Sequence, residues 1–356
     1  MNDKATKIRE QLMNQKMKVD FNSYDFSIKE IISMVHDNLI NISPDYQRHF
    51  RWEKSRQSQL IESFFLGIPV PNIFMATNAD STWELIDGVQ RLSSIINFVG
   101  TDEERGFLDS YEENDGPLRL EGLTKLTEFN GLCFEELPMD VQTKLRLTTI
   151  KVTTLSDKSD KNVRFDLFER LNKGGVSLSD QEIRSCVYRG RFNDFIKELS
   201  EYPAFCNVVN ISDSKEIDGT KEELVLRFFA YTHDIESFDH SVKDFLNDYM
   251  AKADRKFDYS YNSYNRTMFV EVFKALNSSL ENGIARNGRK NTPLNLYEAV
   301  SVGAALAYQK TGKINTRDIQ TWISDDELKK LTTGATNSKP RVLGRIKYCE
   351  ERFEAK

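Results

Sequence analysis

The chain has 356 residues, with 49 Lys and Arg against 55 Asp and Glu, a formal net charge of -6, 39% hydrophobic and 29% charged residues. That length exceeds what one hydrophobic core usually fills and predicts two domains, while no apolar run reaches the ~20 residues of a membrane helix. Interleaved acids and bases argue against a nucleic-acid protein by bulk electrostatics, so any DNA contact has to be a local basic patch.

In chain order, the charged start MNDKATKIREQLMNQKMKVDF has no apolar signal region, which makes the cytoplasm the default location, and residues 1–20 read as a helical arm. SIKEIISMVHDNLI places Ile28, Ile31, Ile32, Val35 and Leu39 on one helical face, with Ser27 able to cap it. Pro44 then opens a loop of mixed polar and aromatic residues. EKSRQSQLIESFFLG restarts a helix with Leu60, Ile61, Phe64 and Phe65 on one face and ends at Gly67. NIFMATN and TWELI read as two strands joined as a hairpin or near-hairpin, and RLSSIINFV is a helix with Leu92, Ile95, Ile96 and Val99 on its apolar face.

A loop-rich insertion over about 100–145 follows, anchored only by Leu120, Leu123, Leu126 and Phe129. RLTTIKVTTL, β-branched at nearly every step, is the clearest strand and is expected to close the N-terminal sheet. DKNVRFDLFERLNKGG carries Val163, Leu167 and Leu171 on one helical stripe, and SLSDQEIRSCVY restarts a helix with Ser179 and Glu182 in capping-box spacing. Beyond residue 190 the pattern is helical almost to the end. The expected organisation is α+β: a domain with a small mixed sheet over 1–155 and an all-helical domain over 156–356.

Four cysteines, Cys133, Cys186, Cys206 and Cys349, show no C-x-x-C pair and are expected as reduced, mostly buried thiols. Three stretches carry chemistry. In IDGVQRL, a strand runs through Asp87-Gly88 into a helix, where a glycine frees backbone N–H groups to face an anion. Arg91 offers a donor fork for phosphate, Gln90 a neutral donor or acceptor, and Asp87 a Mg²⁺ contact or an acid that orients water. The same residues also describe a plain helix entry, with Asp87 as N-cap and Arg91 on the surface.

PDYQRHFRWEKSR interleaves Arg48, Arg51, Lys54 and Arg56 with Tyr46, His49, Phe50 and Trp52, a mixture suited to a phosphorylated, base-bearing ligand or to a structured loop with aromatic anchors. FERLNKGGVSLSDQEIR sets Glu169 and Asn172 one helical turn apart, close enough to share a ligand or to cap the glycine turn. ARNGRK and KPRVLGRIK are later basic stretches that a DNA-binding protein could use. No P-loop, nucleophile-elbow or H-E-x-x-H motif is present, and His36, His49, His233 and His240 form no metal-ligand set with the cysteines.

In this order the three stretches resemble the domain family at the N-terminus of GmrS/GmrD-type type IV restriction enzymes. Pro44, Tyr46, Gln47, Arg48, Phe50 and Trp52 match its P-x-Y-Q-R-x-[YF]-x-W, and Phe65, Leu66 and Gly67 its F-L-G helix end. Ile86 to Ile95 match its hallmark I-D-G-Q-Q-R-L-T-T-[LI], with Val89 in place of the first glutamine. Phe168, Glu169, Leu171, Asn172, Gly175, Leu178 and Ser179 match F-E-x-[LI]-N-x-x-G-x-x-L-[ST]. The resemblance is strongest over 28–100 and 147–190.

It implies a ParB/sulfiredoxin-like fold for the first domain, without sulfiredoxin chemistry, since the turn holds no cysteine. It further implies an NTP-binding and NTP-hydrolysing protein of restriction or anti-phage defence type, acting on or sensing DNA, with Mg²⁺ alongside the nucleotide. Asp87, Gln90 and Arg91 become the catalytic set, Asp87 the metal contact, and Arg48, Gln47, Gly88, Arg91, Arg51, Glu169 and Asn172 the nucleotide-binding set. No His-Asn-His nuclease cluster is evident, so a partner nuclease or other defence protein is expected, and a homo-oligomer is compatible. The competing expectation is a non-enzymatic, ParB-like DNA-binding or adaptor module.

Overall fold

A computed structural model describes residues 2–16, 20–42, 52–78, 80–106, 116–156, 161–172, 179–212, 218–286, 290–334 and 338–354. The chain divides into two compact units, Met1–Ser177 and Leu178–Lys356.

In the first unit, α1 (Asn2–Lys16) precedes β1 (Phe21–Ser27), a strand the sequence pattern does not announce. Its residues are mostly exposed and offer no apolar alternation; pairing with a stronger neighbour makes it a strand. Ser27 ends β1 and caps α2 (Ile28–His36), its Oγ accepting the Glu30 N–H at 3.2 Å. Ile28, Ile31 and Ile32 are buried as expected, but α2 stops at His36, and Leu39 lies beyond it, about half exposed.

The remaining elements are β2 (Ile40–Asn41), α3 (Lys54–Leu66), β3 (Ile73–Thr77), β4 (Trp83–Asp87), α4 (Val89–Val99), α5 (Asp102–Arg105), α6 (Met139–Leu147), β5 (Thr149–Leu155) and α7 (Lys161–Asn172). Five strands form one sheet in the order β1-β5-β3-β4-β2. β3 and β4 pair antiparallel as the hairpin reading requires, β1 pairs antiparallel with β5, and the β3/β5 and β2/β4 pairs are parallel. β5 does not close the sheet: it lies between β1 and β3, a placement that suits a strand with buried residues on both faces, Ile150 and Val152 on one and Leu155 on the other. Arg146 and Leu147, read as its start, belong to α6 instead.

One face of the sheet presents Ile73, Met75, Leu85, Ile150 and Val152 to the apolar stripes of α2, α3 and α4, forming a single core. Trp83 extends this face, stacking on Tyr24 at 5.4 Å and meeting Phe26 edge-on at 5.7 Å. α7 packs against β4. Its buried residues are Phe165 and Phe168, whereas Leu167 and Leu171, expected on the packed stripe, are only half-buried. Val163 and the double glycine after α7 lie outside the residues whose side chains are described.

The stretch read as a loosely structured insertion is part of this core. Leu118, Leu120, Leu123, Phe134 and Leu137 are buried in it, and Leu126 and Phe129 pack on its margin. α3 holds the stretch by its polar face: Ser58 Oγ accepts the Glu121 N–H at 3.0 Å, and Glu62 Oε1 accepts from Lys125 N–H at 3.0 Å and Leu126 N–H at 2.9 Å. Ser58 and Glu62 are buried for that reason, and an irregular backbone is made stable by side chains that satisfy its donors.

The second unit contains α8 (Asp180–Val187), α9 (Arg191–Ser200), α10 (Pro203–Val208), α11 (Thr220–Asp234), α12 (Val242–Lys256), α13 (Tyr259–Ser279), α14 (Leu294–Thr311), α15 (Ile319–Trp322), α16 (Asp326–Thr332) and α17 (Lys339–Phe353). The Ser179/Glu182 capping box opens α8: Ser179 Oγ accepts the Glu182 N–H at 3.1 Å, and the Ser179 N–H donates back to Glu182 Oε2 at 2.6 Å. Helices are joined inside by charge. Arg184 of α8 pairs with Glu223 of α11 at 2.9 Å, Arg227 of α11 with Glu223 at 2.6 Å and with Glu298 of α14 at 2.7 Å, and Arg345 of α17 with the other oxygen of Glu298.

Candidate functional site

Asp87 is the last residue of β4, and Gly88 turns the chain directly into α4. Gly88 has φ +112°, a conformation that disfavours any side chain, and a Cβ there would lie 3.1 Å from Ile73 Cγ1 and 3.2 Å from Arg91 Nη2. The turn therefore demands glycine both for its backbone and for its space. Asp87 does not cap the helix, Gly88 at the N-cap position has no side chain to do so, and the first turn of this eleven-residue helix carries no acidic residue.

Arg91 folds back over Gly88 and donates from Nη2 to Asp87 Oδ2 at 2.6 Å. Its side chain is 12% exposed against 41% for Asp87, so a mostly covered guanidinium reaches a carboxylate that still faces solvent. Arg91 is not a surface residue of a plain helix entry. The pair can exchange: an anion at the mouth of the turn would compete with Asp87 for the guanidinium fork, with the start of α4 behind it.

Gln90 turns its Oε1 to the N–H of Trp52, 3.1 Å away. Glu169 is half-buried on α7, the helix that packs against β4. Arg48, Gln47 and Arg51 lie outside the described residues, as does the side chain of Asn172. Asp87, Gly88 and Arg91 are thus brought together in one turn, with Gln90 beside them.

Other chemistry-bearing residues serve the framework. His233 Nε2 bonds Asn265 Oδ1 at 2.6 Å and its ring stacks on Phe229, with burial pushing its pKa down against that bond; His240 is exposed beside Asp239. Cys133, Cys186 and Cys349 are buried free thiols and Cys206 is half-buried. In KPRVLGRIK, Arg345 is buried on Glu298, Arg341 donates to the backbone of Lys330 and Thr333, and Lys339 donates to the Glu236 carbonyl, so much of that stretch is engaged within the fold. Among the described residues no group of three or more His, Cys, Asp or Glu could hold a metal ion, and no helix is long and apolar enough to cross a membrane.

Three residues near the turn escape a reading by motif. Gln57 and Asn97 are buried amides, and Glu84 is a carboxylate only 1% exposed, three residues before Asp87. Gln57 could have been noticed as a polar residue in line with Ile61 and Phe64 on the buried face of α3. Asn97 sits within an apolar run, and Glu84 alternates with Ile86, which gives no sign that this strand face is covered.

Residues 28–189 match the family model of the GmrSD restriction endonuclease N-terminal domain. Residues 28–189 are therefore an α+β domain of that kind, a member of the GmrSD N-terminal domain family. No curated protein and no solved structure matches the chain.

Proposed function

We propose that this is a protein of restriction or anti-phage defence type whose Asp87–Arg91 turn binds a nucleoside triphosphate, with hydrolysis as the associated activity. The family match supports the first part, since that family is the N-terminal domain of a restriction endonuclease. The observation that carries the second is the turn itself. A glycine at φ +112° stands at the N-cap of the helix, beneath an arginine that pairs with a carboxylate at the solvent edge.

In this reading Arg91 and Arg48 contact phosphates. Gly88 lets the backbone approach, and Gln47, Arg51, Glu169 and Asn172 line the ligand. Asp87 holds a metal or orients water. One carboxylate fits Mg²⁺, which commonly binds through one or two protein carboxylates plus substrate phosphates. Bound there, Mg²⁺ would neutralise charge on the phosphate oxygens. Asp87 would release Arg91 to the ligand as it turned to the ion. DNA is the expected target, and a partner supplies any nuclease.

A second reading, binding without turnover, is favoured by Val89. Where the family hallmark has a glutamine, this side chain packs against the apolar core. Phosphate release and ATP binding by the wild type, Arg91→Ala and Asp87→Ala, with folding checked by circular dichroism, separate the readings. Loss of both activities in Arg91→Ala supports the triphosphate site, and binding without phosphate release in the wild type supports the second reading. Equal binding and turnover in all three proteins would sink the assignment.

A further inference from the structure

β1 lies at one edge of the sheet and is bonded on one side only, to β5. The Ser156 N–H donates to the Asp20 C=O at 2.8 Å and the Ile28 N–H to the Thr148 C=O at 2.9 Å, which fixes the phase of the ladder. Bonded and non-bonded residues alternate in an antiparallel pair, so Asn22, Tyr24 and Phe26 bond to β5 while Phe21, Ser23 and Asp25 turn their N–H and C=O groups outward. Among the described residues nothing takes these outward groups. The edge is seven residues long, with no proline, lysine or bulge to keep another strand away, and its one charge, Asp25, is paired with Lys151 of β5 at 3.8 Å.

The side chains along this edge are uncovered as well. Phe21, across from Leu155, is 61% exposed, and Tyr24, although stacked on Trp83, is 40% exposed. Ile8, Leu12 and Met13 of α1, the helix that leads into β1, are exposed too. Two strands paired by backbone alone make a marginal seam, and apolar surface of this kind gives an interface something to bury.

We propose that β1 is the seam of a homodimer, pairing antiparallel with β1 of a second copy about a two-fold axis at Ser23. The strand complements itself in this register. Ser23 bonds to Ser23 of the second copy, and Phe21 and Asp25 bond to Asp25 and Phe21 of the second copy, so every outward N–H and C=O of these residues finds a partner. An axis at Phe21 or at Asp25 would leave some of them unpaired. Tyr24 comes opposite Asn22 of the second copy, which covers ring surface that otherwise faces water, and Asp25 never meets its own equivalent, so no like charges are opposed. A closed two-fold contact also consumes the edge and leaves no template for further chains. The two sheets become one, with a Gly88 turn at the end of β4 in each half.

The test is sedimentation equilibrium of the full chain at micromolar concentration, with 41.2 kDa as the mass of one copy. The wild type is expected at twice that mass. Ser23→Pro removes an N–H that faces outward and none that bonds to β5, so it should keep the helical circular dichroism and lose the dimer. Ser23→Cys sets a thiol on the axis. Opposite α-carbons of a bonded pair stand about 5.5 Å apart, within disulfide range, so mild oxidation should give a covalent dimer on a non-reducing gel. Asp25→Cys sets its two thiols ~13 Å apart along the seam and should not cross-link. Should Ser23→Pro not fold, the two cysteine variants still decide. A wild type at the mass of one copy overturns the proposal, as do a dimer that persists in folded Ser23→Pro and cross-linking by Asp25→Cys in place of Ser23→Cys.

Discussion

Each unit of this protein contains a cluster of arginines and carboxylates, and the two clusters are built to opposite ends. In the helical unit Arg184, Glu223, Arg227, Glu298 and Arg345 tie α8, α11, α14 and α17 together, with Arg345 and Glu298 each 1% exposed. At the Gly88 turn a single pair, Arg91 and Asp87, spans one helical turn with its carboxylate 41% exposed. Burial raises the cost of separating charges, so the first cluster keeps its partners and acts as framework. The second has a carboxylate that solvent reaches, so in the proposed reading an external anion takes its place at little cost. Ion pairing alone does not mark a site.

The largest effect should come from breaking the framework. Glu298→Ala removes the carboxylate that Arg227 and Arg345 share, and removing one partner of a buried ion pair costs about 3–5 kcal/mol. Chemical denaturation followed by helical circular dichroism should show it. A loss below about 1 kcal/mol would mean that the cluster relaxes around the gap and would blunt the contrast between the units. Glu223 reports on the same cluster by pH. Burial, which by itself would raise its pKa, is outweighed by Arg227 and Arg184, and the carboxyl is held below its ordinary value. A carboxyl depressed in the folded state stabilises above its unfolded pKa, ~4.3, and that contribution fades as the pH falls through the lower folded value.

Next comes Gly88→Ala. The strained φ together with the crowding by Ile73 and Arg91 should cost about 1–3 kcal/mol and displace Arg91 from Asp87. Reduced ATP binding beyond the stability loss would place the turn in the site. A neutral substitution in both readouts would remove the argument that the glycine is demanded.

The smallest effect marks the other limit of the comparison, a solvent-facing pair with neither burial nor a ligand. Hydrogen bonds from Arg119, then from the Cys133 backbone, hold Glu136 down to about 2. Its contribution is present above its unfolded pKa of ~4.3 and is lost as the pH falls through about 2. In Arg119→Ala an NMR titration should find the carboxyl moved back up towards that range, with no change in ATP binding.

What the sequence made legible follows from how local each signal is. The Ser27 cap, the Gly67 helix end, the Ser179/Glu182 capping box and the apolar face of α4 are each encoded within a few residues, and each is found in place. The α+β class, a small mixed sheet followed by a helical remainder, follows from such elements in order. β1 and the 116–137 segment depend on partners far along the chain. FNSYDFS becomes a strand by pairing with β5, and the irregular segment becomes core by laying its backbone donors on Ser58 and Glu62. At the turn, spacing alone favoured a plain capped helix entry over a cradle. The direction of the Arg91 side chain and the grip of Gln90 on Trp52 are three-dimensional facts with no counterpart in the motif.

The account turns on Arg91 being exchangeable, and its most direct test is the melting temperature of the wild type and of Arg91→Ala, each with and without ATP and Mg²⁺. An exposed-partner ion pair contributes about 1 kcal/mol or less, so the two proteins should melt nearly together without nucleotide. With nucleotide at about a hundredfold over its dissociation constant, only the wild type should gain the ~2.7 kcal/mol that such binding supplies, seen as a raised melting temperature. The same nucleotide-dependent rise in both proteins, or none in either, would contradict the account.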